Sequence, residues 1–241
     1  MVEEKGTSIL PIRAWRAWRE RGTAYLVHKA LRRGLSGRTD LKRRLVYHDP
    51  RSYWTLRGGL EYFREQEDHP TRGDRARVIA RSIAAYQPTS ILEVGCGYGK
   101  QLRELRRLLP DVPLTGIDFS PSQLAMARKH LEGLDAIDLA LASGTRLPFV
   151  DGAFDLVLTS AVILHNPPPQ AERIRREVVR VSRRLAAHNE DTNTSYNRYG
   201  YDTAAWYRDR GIPVLESGPI GVETDPDHDV SQFCVVETWR R

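Results

Sequence analysis

Three glycines at alternate positions, Gly95, Gly97 and Gly99, follow the short apolar run Ser90 to Val94 and precede the helix-periodic stretch Leu102 to Leu109. Between a strand and a helix such glycines let the chain turn tightly and let a ligand approach the backbone. Glu93 stands just before the turn, where a carboxylate can receive a cationic or amino group. Asp118 closes the next strand, Leu114 to Ile117, nineteen residues after Gly99. A carboxylate at that place is set to accept both hydroxyls of a ribose. Alternate glycines alone are shared by several kinds of nucleotide-type site. The signal sharpens because Ser143-Gly144-Thr145-Arg146-Leu147-Pro148-Phe149 follows a third strand, Leu139 to Ala142, and Asp151-Gly152-Ala153-Phe154-Asp155 leads into a fourth, Phe154 to Thr159.

Groups that could move a proton come later. After the fourth strand stand Thr159-Ser160-Ala161 and then His165-Asn166-Pro167-Pro168-Pro169. A neutral imidazole takes a hydroxyl proton near neutral pH, so His165 is a candidate general base; ordering this stiff loop is its other reading. A fifth strand, Leu185 to Asn189, leads into a segment dense in amide, hydroxyl and carboxylate groups. Glu190 is there a second candidate base, and Glu190 or Asp191 a candidate ligand for a divalent cation such as Mg2+. Tyr196, Tyr199 and Tyr201 interleave aromatic faces with these polar groups, which suits a polyhydroxylated substrate as well as it suits a polar surface loop. The loop Glu223 to Asp229 alternates acidic residues but lacks the glycine of a calcium loop, and reads first as solvated.

The elements that must hold these groups alternate in period. Helices are expected over Asp74–Tyr86, Leu102–Leu109, from Ser120-Pro121 onward, Glu172–Arg183 and Asp202–Arg210, with last strands at Pro213–Glu216 and Phe233–Thr238. Ser120 before Pro121, with Gln123 three residues on, is a helix-start signature. Strands alternating with helices argue for an α/β fold: a doubly wound, mainly parallel, seven-stranded, Rossmann-like sheet, with ligands at the carboxyl ends of the strands. Residues 1–50 form a separate basic helical arm before a domain at 51–241. The arm has twelve Lys and Arg against five Asp and Glu, while the whole chain of 241 residues carries +6. Its arginines alternate with Trp15, Trp18, Tyr25 and Leu26, which suits packing on the domain or on a second copy of the chain, a homodimer contact. Nucleic acid and anionic lipid are the alternatives for so basic a segment. Cys96 and Cys234 are too few and too far apart for a disulfide framework or a zinc site. So few cysteines make a reducing cytoplasm the expectation, and no leader and no apolar run long enough to span a bilayer is read.

Residues 90–160 resemble class I S-adenosylmethionine (SAM)-dependent methyltransferases, through Leu92-Glu93-Val94-Gly95-Cys96-Gly97-Tyr98-Gly99, Gly116-Ile117-Asp118-Phe119-Ser120, Leu147-Pro148-Phe149 and Phe154-Asp155. The resemblance implies that the loop of Gly95, Cys96, Gly97 and Gly99 holds the methionine part of SAM and that Asp118 holds the ribose. It further implies that Phe119 stacks on the adenine, that Ser143 and Gly144 meet its edge, and that Thr145 and Ser160 complete the set. Many members carry Asp where this chain has Ser143. Upstream, Tyr53-Trp54 and Arg57-Gly58-Gly59 resemble the N-terminal lid of small-molecule members, with Arg57 placed for the cofactor's carboxylate and Tyr53 beside it; packing is the other reading. The whole pattern resembles bacterial sugar O-methyltransferases of polysaccharide pathways, the likeness centring on 47–67 and 185–202, and it implies a small-molecule or oligosaccharide acceptor. Amino-group methyltransferases carry Asn/Asp-Pro-Pro-aromatic at the strand end, and here Asn166-Pro167-Pro168 comes late and lacks the aromatic. A nucleic-acid methyltransferase recruited by the arm, or an inactive SAM-binding partner subunit, are the rival readings.

Overall fold

The computed structural model describes residues 9–69, 71–220 and 230–238. The chain divides into two compact units, Met1–Arg57 and Gly58–Arg241.

In the first unit, α1 (Ile9–Gly34) is interrupted at Gly22, whose φ of 77° is non-helical. Two further helices follow, α2 (Thr39–Val46) and α3 (Pro50–Arg57). The His48-Asp49-Pro50-Arg51 stretch, which reads as a turn, is the start of α3. Asp49 accepts the Ser52 backbone N–H at 2.9 Å and its hydroxyl at 2.6 Å, with Pro50 in the first helical position. The interior is aromatic. Tyr25, Tyr47 and Tyr53 are buried. Tyr53 meets Tyr47, His28 and Trp54 edge to face at 4.8, 5.1 and 5.1 Å, and the Trp54 indole N–H donates to the Tyr47 hydroxyl at 3.2 Å.

The second unit runs α4 (Leu60–Glu67), α5 (Arg72–Ala85), β1 (Ile91–Val94), α6 (Lys100–Leu108), β2 (Leu114–Asp118), α7 (Pro121–His130), β3 (Ile137–Leu141), β4 (Phe154–Ser160), α8 (Pro168–Val181), β5 (Ser182–Asp191), α9 (Thr203–Arg208), β6 (Val214–Pro219) and β7 (Ser231–Glu237). The strands form one sheet in the order β3-β2-β1-β4-β5-β7-β6. β1 to β5 pair in parallel, and β7 lies antiparallel between β5 and β6. This is the expected doubly wound sheet with one reversed strand. Ser120 caps α7, its hydroxyl accepting the Gln123 N–H at 3.4 Å.

Successive strand residues face opposite sides, so each central strand feeds two cores. Ile91, Leu156, Leu158, Leu185 and Ala187 pack with Ile79 and Ile83 of α5, Leu102 and Leu105 of α6, and Leu124 of α7. Leu92, Val94, Val157 and Ala186 pack with Ile174 and Val178 of α8 and Tyr207 of α9. Near the amino ends of the strands, Asp155 accepts the Thr89 N–H at 2.9 Å and pairs with Arg184 at 2.9 Å and Arg183 at 3.3 Å. Burial raises its pKa, but these partners win and hold it at about 2. That leaves the carboxyl ends of the strands for chemistry.

Candidate functional site

The loop from β1 to α6 is built on three left-handed residues: Gly95, Gly97 and Gly99 have φ of 73°, 55° and 83°. Gly95 and Cys96 both donate their N–H to the Ile117 carbonyl, at 2.7 and 2.9 Å, which locks the loop to the end of β2. Two of the glycines are needed for packing. A Cβ on Gly95 would lie 2.5 Å from Val162 Cγ2, and one on Gly99 2.7 Å from Leu131 Cδ1. At Gly97 a Cβ would meet nothing nearer than Gln123 Nε2 at 3.7 Å, so that face is open to a ligand. Cys96 is buried in the sheet-side core and contributes backbone; burial pushes its thiol pKa up.

Asp118 leans into this loop. One carboxylate oxygen accepts the Gly97 N–H at 3.0 Å and the other the Ser120 N–H at 2.8 Å. Burial raises its pKa, and these backbone bonds oppose the rise. Each oxygen retains acceptor capacity for a further hydroxyl. Glu93 lies beneath, buried, with its Oε2 lacking a hydrogen-bond partner among the described residues. Burial first, and then the charge of Asp118, push its pKa up to about 8. An orphaned, buried carboxyl oxygen at the root of an open glycine loop is an unmet polar group, which a hydrogen-bonding ligand would satisfy. Beside these, Phe119 is half-buried, and Ser143 and Thr145 share a hydroxyl hydrogen bond at 2.9 Å after β3. A Cβ on Gly144 between them would lie 2.9 Å from Val94 Cγ1. At the end of β4, Ser160 accepts from the Asn189 amide at 3.2 Å. Thus Glu93, Gly95, Cys96, Gly97, Gly99, Asp118, Phe119, Ser143, Gly144, Thr145 and Ser160 gather at the carboxyl edge of β1 to β4. Tyr53 and Arg57 are buried side chains of the first unit.

The loop after β4 begins with a strained residue: Ala161 has φ of 54°. A single 3-10 turn, Ile163–His165, follows. His165 is buried, with Nδ1 2.6 Å from the Asn197 carbonyl. A carbonyl only accepts, so Nδ1 carries the proton and Nε2 is the basic nitrogen of a neutral ring. Burial pushes its pKa down to about 4, helped by the Arg198 charge and opposed by the Asn197 bond.

Glu190 is fully buried inside β5, not in a loop beyond it. Its Oε1 accepts the Thr159 hydroxyl at 2.7 Å, and its Oε2 accepts the Val162 and Leu164 N–H groups, each at 3.1 Å. The expected second base is therefore spent on holding the turn that carries His165 and the Val162 side chain facing Gly95. Behind it runs a chain absent from the sequence reading. His188 lies between the Thr159 hydroxyl, at 2.8 Å from Nδ1, and the Tyr207 hydroxyl, at 2.7 Å from Nε2. When Glu190 is ionised it accepts the Thr159 proton, and His188 Nδ1–H then donates to Thr159 while Nε2 accepts from Tyr207. Burial pushes His188 down to about 3 and Glu190 up to about 7. For Glu190, burial outweighs the hydrogen bonds that favour its charged form.

Asp191, the other metal candidate, is buried and pairs with Arg198 at 3.1 Å and Arg75 at 3.5 Å. Among the described residues no three His, Cys, Asp or Glu side chains converge to hold a metal ion. The acidic loop Glu223 to Asp229 lies outside the described residues. The polar segment after β5 folds back on the His165 turn. The Tyr199 N–H donates to the Leu164 carbonyl at 2.7 Å, and the Tyr201 hydroxyl to the Asn166 carbonyl at 2.8 Å. The Tyr201 ring also lies 4.7 Å from the Arg175 guanidinium, so its contacts tie the loops together. Tyr196 and Tyr199 are half-buried on the same segment.

Residues 91–184 match a family described as "Methyltransferase domain". Among curated proteins, the malonyl-[acyl-carrier protein] O-methyltransferase of Legionella pneumophila is 40% identical over 76 residues, 32% of this chain and 27% of that protein. The chain spans 27 to 56% of the length of the first curated relatives it matches. Among solved structures, the N-methyltransferase NodS of Bradyrhizobium japonicum WM9 with S-adenosylhomocysteine is similar at a TM-score of 0.59 and 16% identity, over 72% of this chain and 90% of that one. The magnesium protoporphyrin IX methyltransferase of Synechocystis PCC 6803 with bound SAM is similar at a TM-score of 0.56 and 16% identity, over 87% of this chain and 96% of that one. The chain therefore shares the fold of these methyltransferases.

Proposed function

We propose that this protein is a SAM-dependent methyltransferase that methylates a hydroxyl of a sugar or oligosaccharide. One arrangement carries the cofactor half of this reading: the open glycine loop with Asp118 bonded across it and the orphaned Glu93 oxygen beneath it. These groups fit an amino-acid nucleoside, with room at Gly97, acceptors for a ribose diol at Asp118 and an unpartnered polar oxygen at Glu93. Phe119, Ser143, Gly144 and Thr145 would border the adenine. When bound, SAM supplies a methyl group made electrophilic by its sulfonium centre.

The chain's own part in the reaction is to orient an acceptor and take up a proton. Holding nucleophile and methyl group in line supplies most of the rate. His165 is the proposed base, because its Nδ1–H is committed to Asn197 and the ring is neutral at physiological pH. Glu190 is proposed to act through His165 and Val162 by fixing their turn. The acceptor half rests on the hydroxyl, amide and tyrosine groups of residues 192–201 beside that turn, which suit a polyol. The finer reading is a resemblance to the mycobacterial methylmannose polysaccharide 1-O-methyltransferase, with the 1-OH of a methylated mannoside as acceptor. No metal is needed by this proposal.

A methyl-transfer screen with labelled SAM over sugars, small phenols and tRNA tests both halves. Label on a sugar hydroxyl is expected. Label on tRNA alone would transfer the reading to a nucleic-acid methyltransferase. SAM binding with no label on any acceptor would favour a non-catalytic partner subunit.

A further inference from the structure

The site leaves the first unit's chemistry unused. Residues 9–57 hold thirteen Lys and Arg against three Asp and Glu. Of these, Arg19, Arg33, Arg38, Arg44 and Arg51 are exposed while Arg57 is buried, and the same surface also exposes large apolar side chains. Trp15, Trp18, Val27, Leu41 and Leu45 are 39 to 55% exposed, while the unit's interior is filled by Tyr25, Val46, Tyr47 and Tyr53. The exposed residues are therefore not displaced core.

They are arranged by helix period. Trp15 and Trp18, three apart, share a face of α1, with the Arg19 guanidinium 5.4 Å from the Trp15 ring. Leu41 and Leu45, four apart, share the solvent face of α2, and the exposed Arg38 and Arg44 flank them on either side. Val46 marks the opposite, buried face. Exposed tryptophan and leucine with arginine beside them suit a surface that rests in a bilayer interface, apolar side chains toward the acyl boundary and cations among anionic headgroups. No helix among the described residues is long and apolar enough to cross a membrane.

We propose that α1 and α2 dock this protein on the surface of an anionic lipid membrane. Charge decides between occupants. A second copy of the chain would bring two strongly cationic faces together, whereas an anionic bilayer neutralises them. Nucleic acid would satisfy the arginines but would leave Val27, Leu41 and Leu45 without a role, since aliphatic side chains gain nothing from a phosphate backbone.

The test is flotation of the full chain with vesicles of 30% phosphatidylglycerol in phosphatidylcholine, against phosphatidylcholine alone. Binding to the anionic vesicles only is expected, weakening with salt, together with a blue shift of tryptophan emission. Leu41→Glu with Leu45→Glu should lower vesicle affinity at least tenfold. Trp15→Phe with Trp18→Phe should remove the blue shift. Because these side chains are exposed, circular dichroism and the thermal midpoint should stay as in the parent, which separates lost docking from lost folding. No binding to anionic vesicles overturns the proposal. So does binding that the Leu41/Leu45 variant leaves unchanged, since the apolar face would then play no part. Salt-sensitive association with duplex RNA without vesicle binding, or a concentration-dependent dimer that the same variant dissolves without vesicle binding, overturns it in favour of those partners.

Discussion

Replacing Glu190 by alanine should destabilise the protein by an amount that depends on pH, and the sign can be worked out. The substitution removes the acceptor for three buried donors, the Thr159 hydroxyl and the N–H groups of Val162 and Leu164. Each buried donor left unsatisfied costs about 1–3 kcal/mol. Against this stands the cost of keeping a carboxylate ionised in a dry site, since the folded-state pKa of Glu190 is raised from 4.5 to about 7. A carboxyl with a raised folded pKa favours folding below its unfolded pKa. That contribution is lost as pH rises from about 4.5 to about 7, and the loss amounts to about 3 kcal/mol at about 1.4 kcal/mol per unit. The alanine variant lacks this dependence. The stability gap between parent and variant should therefore be several kcal/mol at pH 5 and narrower by about 2–3 kcal/mol at pH 8. Urea unfolding followed by circular dichroism at the two pH values measures it, and the other titrating groups cancel between the two proteins. SAM affinity, by calorimetry at pH 8, should fall as well, because Val162 loses its place against Gly95. A gap that does not change with pH would refute the buried, proton-retaining carboxylate. A gap below about 1 kcal/mol at pH 5 would refute the loop-holding role.

Other expectations follow from single distances. Asp118→Ala should weaken SAM binding by about 1–3 kcal/mol in calorimetry, with the fold intact, because ribose hydroxyls lose their acceptor; unchanged affinity would remove the assignment. His165→Ala should lower kcat by about 10²–10⁴ with little change in SAM affinity. Since burial holds this ring's pKa down to about 4, the parent's rate should show its imidazole limb there and stay flat through pH 6.5. Gly200→Ala should be strongly destabilising in thermal melts, because Gly200 has φ of 62° and a Cβ there would lie 2.7 Å from the Asn193 carbonyl oxygen, which is backbone and cannot step aside. A truncation beginning near Val46 should still bind SAM, since every group assigned to the glycine-loop site lies after it; a folded truncate without affinity would make the arm part of the site.

What could be read in advance was whatever local spacing determines. The glycine loop, Asp118 and the Ser120 cap are set by neighbours within a few residues, and each is found at its expected place. Glu190 shows where local reading stops. The sequence suggests a strand ending at Asn189 because polar residues follow. β5 instead continues to Asp191, since Glu190 and Asp191 pair with Gln232 and Ser231 of β7, some forty residues away in the chain. Inside a strand, His188 and Glu190 face the same side, and register sets Thr159 beside His188. Two titratable residues two apart at the end of an apolar strand were the available signal for that network. The arm shows a smaller miss of the same kind: Asp49-Pro50, which reads as a turn, is equally a helix start, and only the helix that follows tells them apart.

The place of β7 bears on how the chain is made. β7 is synthesised after both strands it separates, yet it alone closes β5 and supplies the pairing that draws Glu190 and Asp191 into the sheet. While a ribosome still holds residues 231–237, β5 presents an open edge and β6 has no neighbour to pair with. The nascent unit is then a five-stranded intermediate whose β5 edge has unpaired backbone N–H and carbonyl groups, the kind of edge that invites mispairing. The β7 pairing of Glu190 and Asp191, which backs the turn that carries His165, is thus the last part of the sheet to become available, well after the glycine loop has been made.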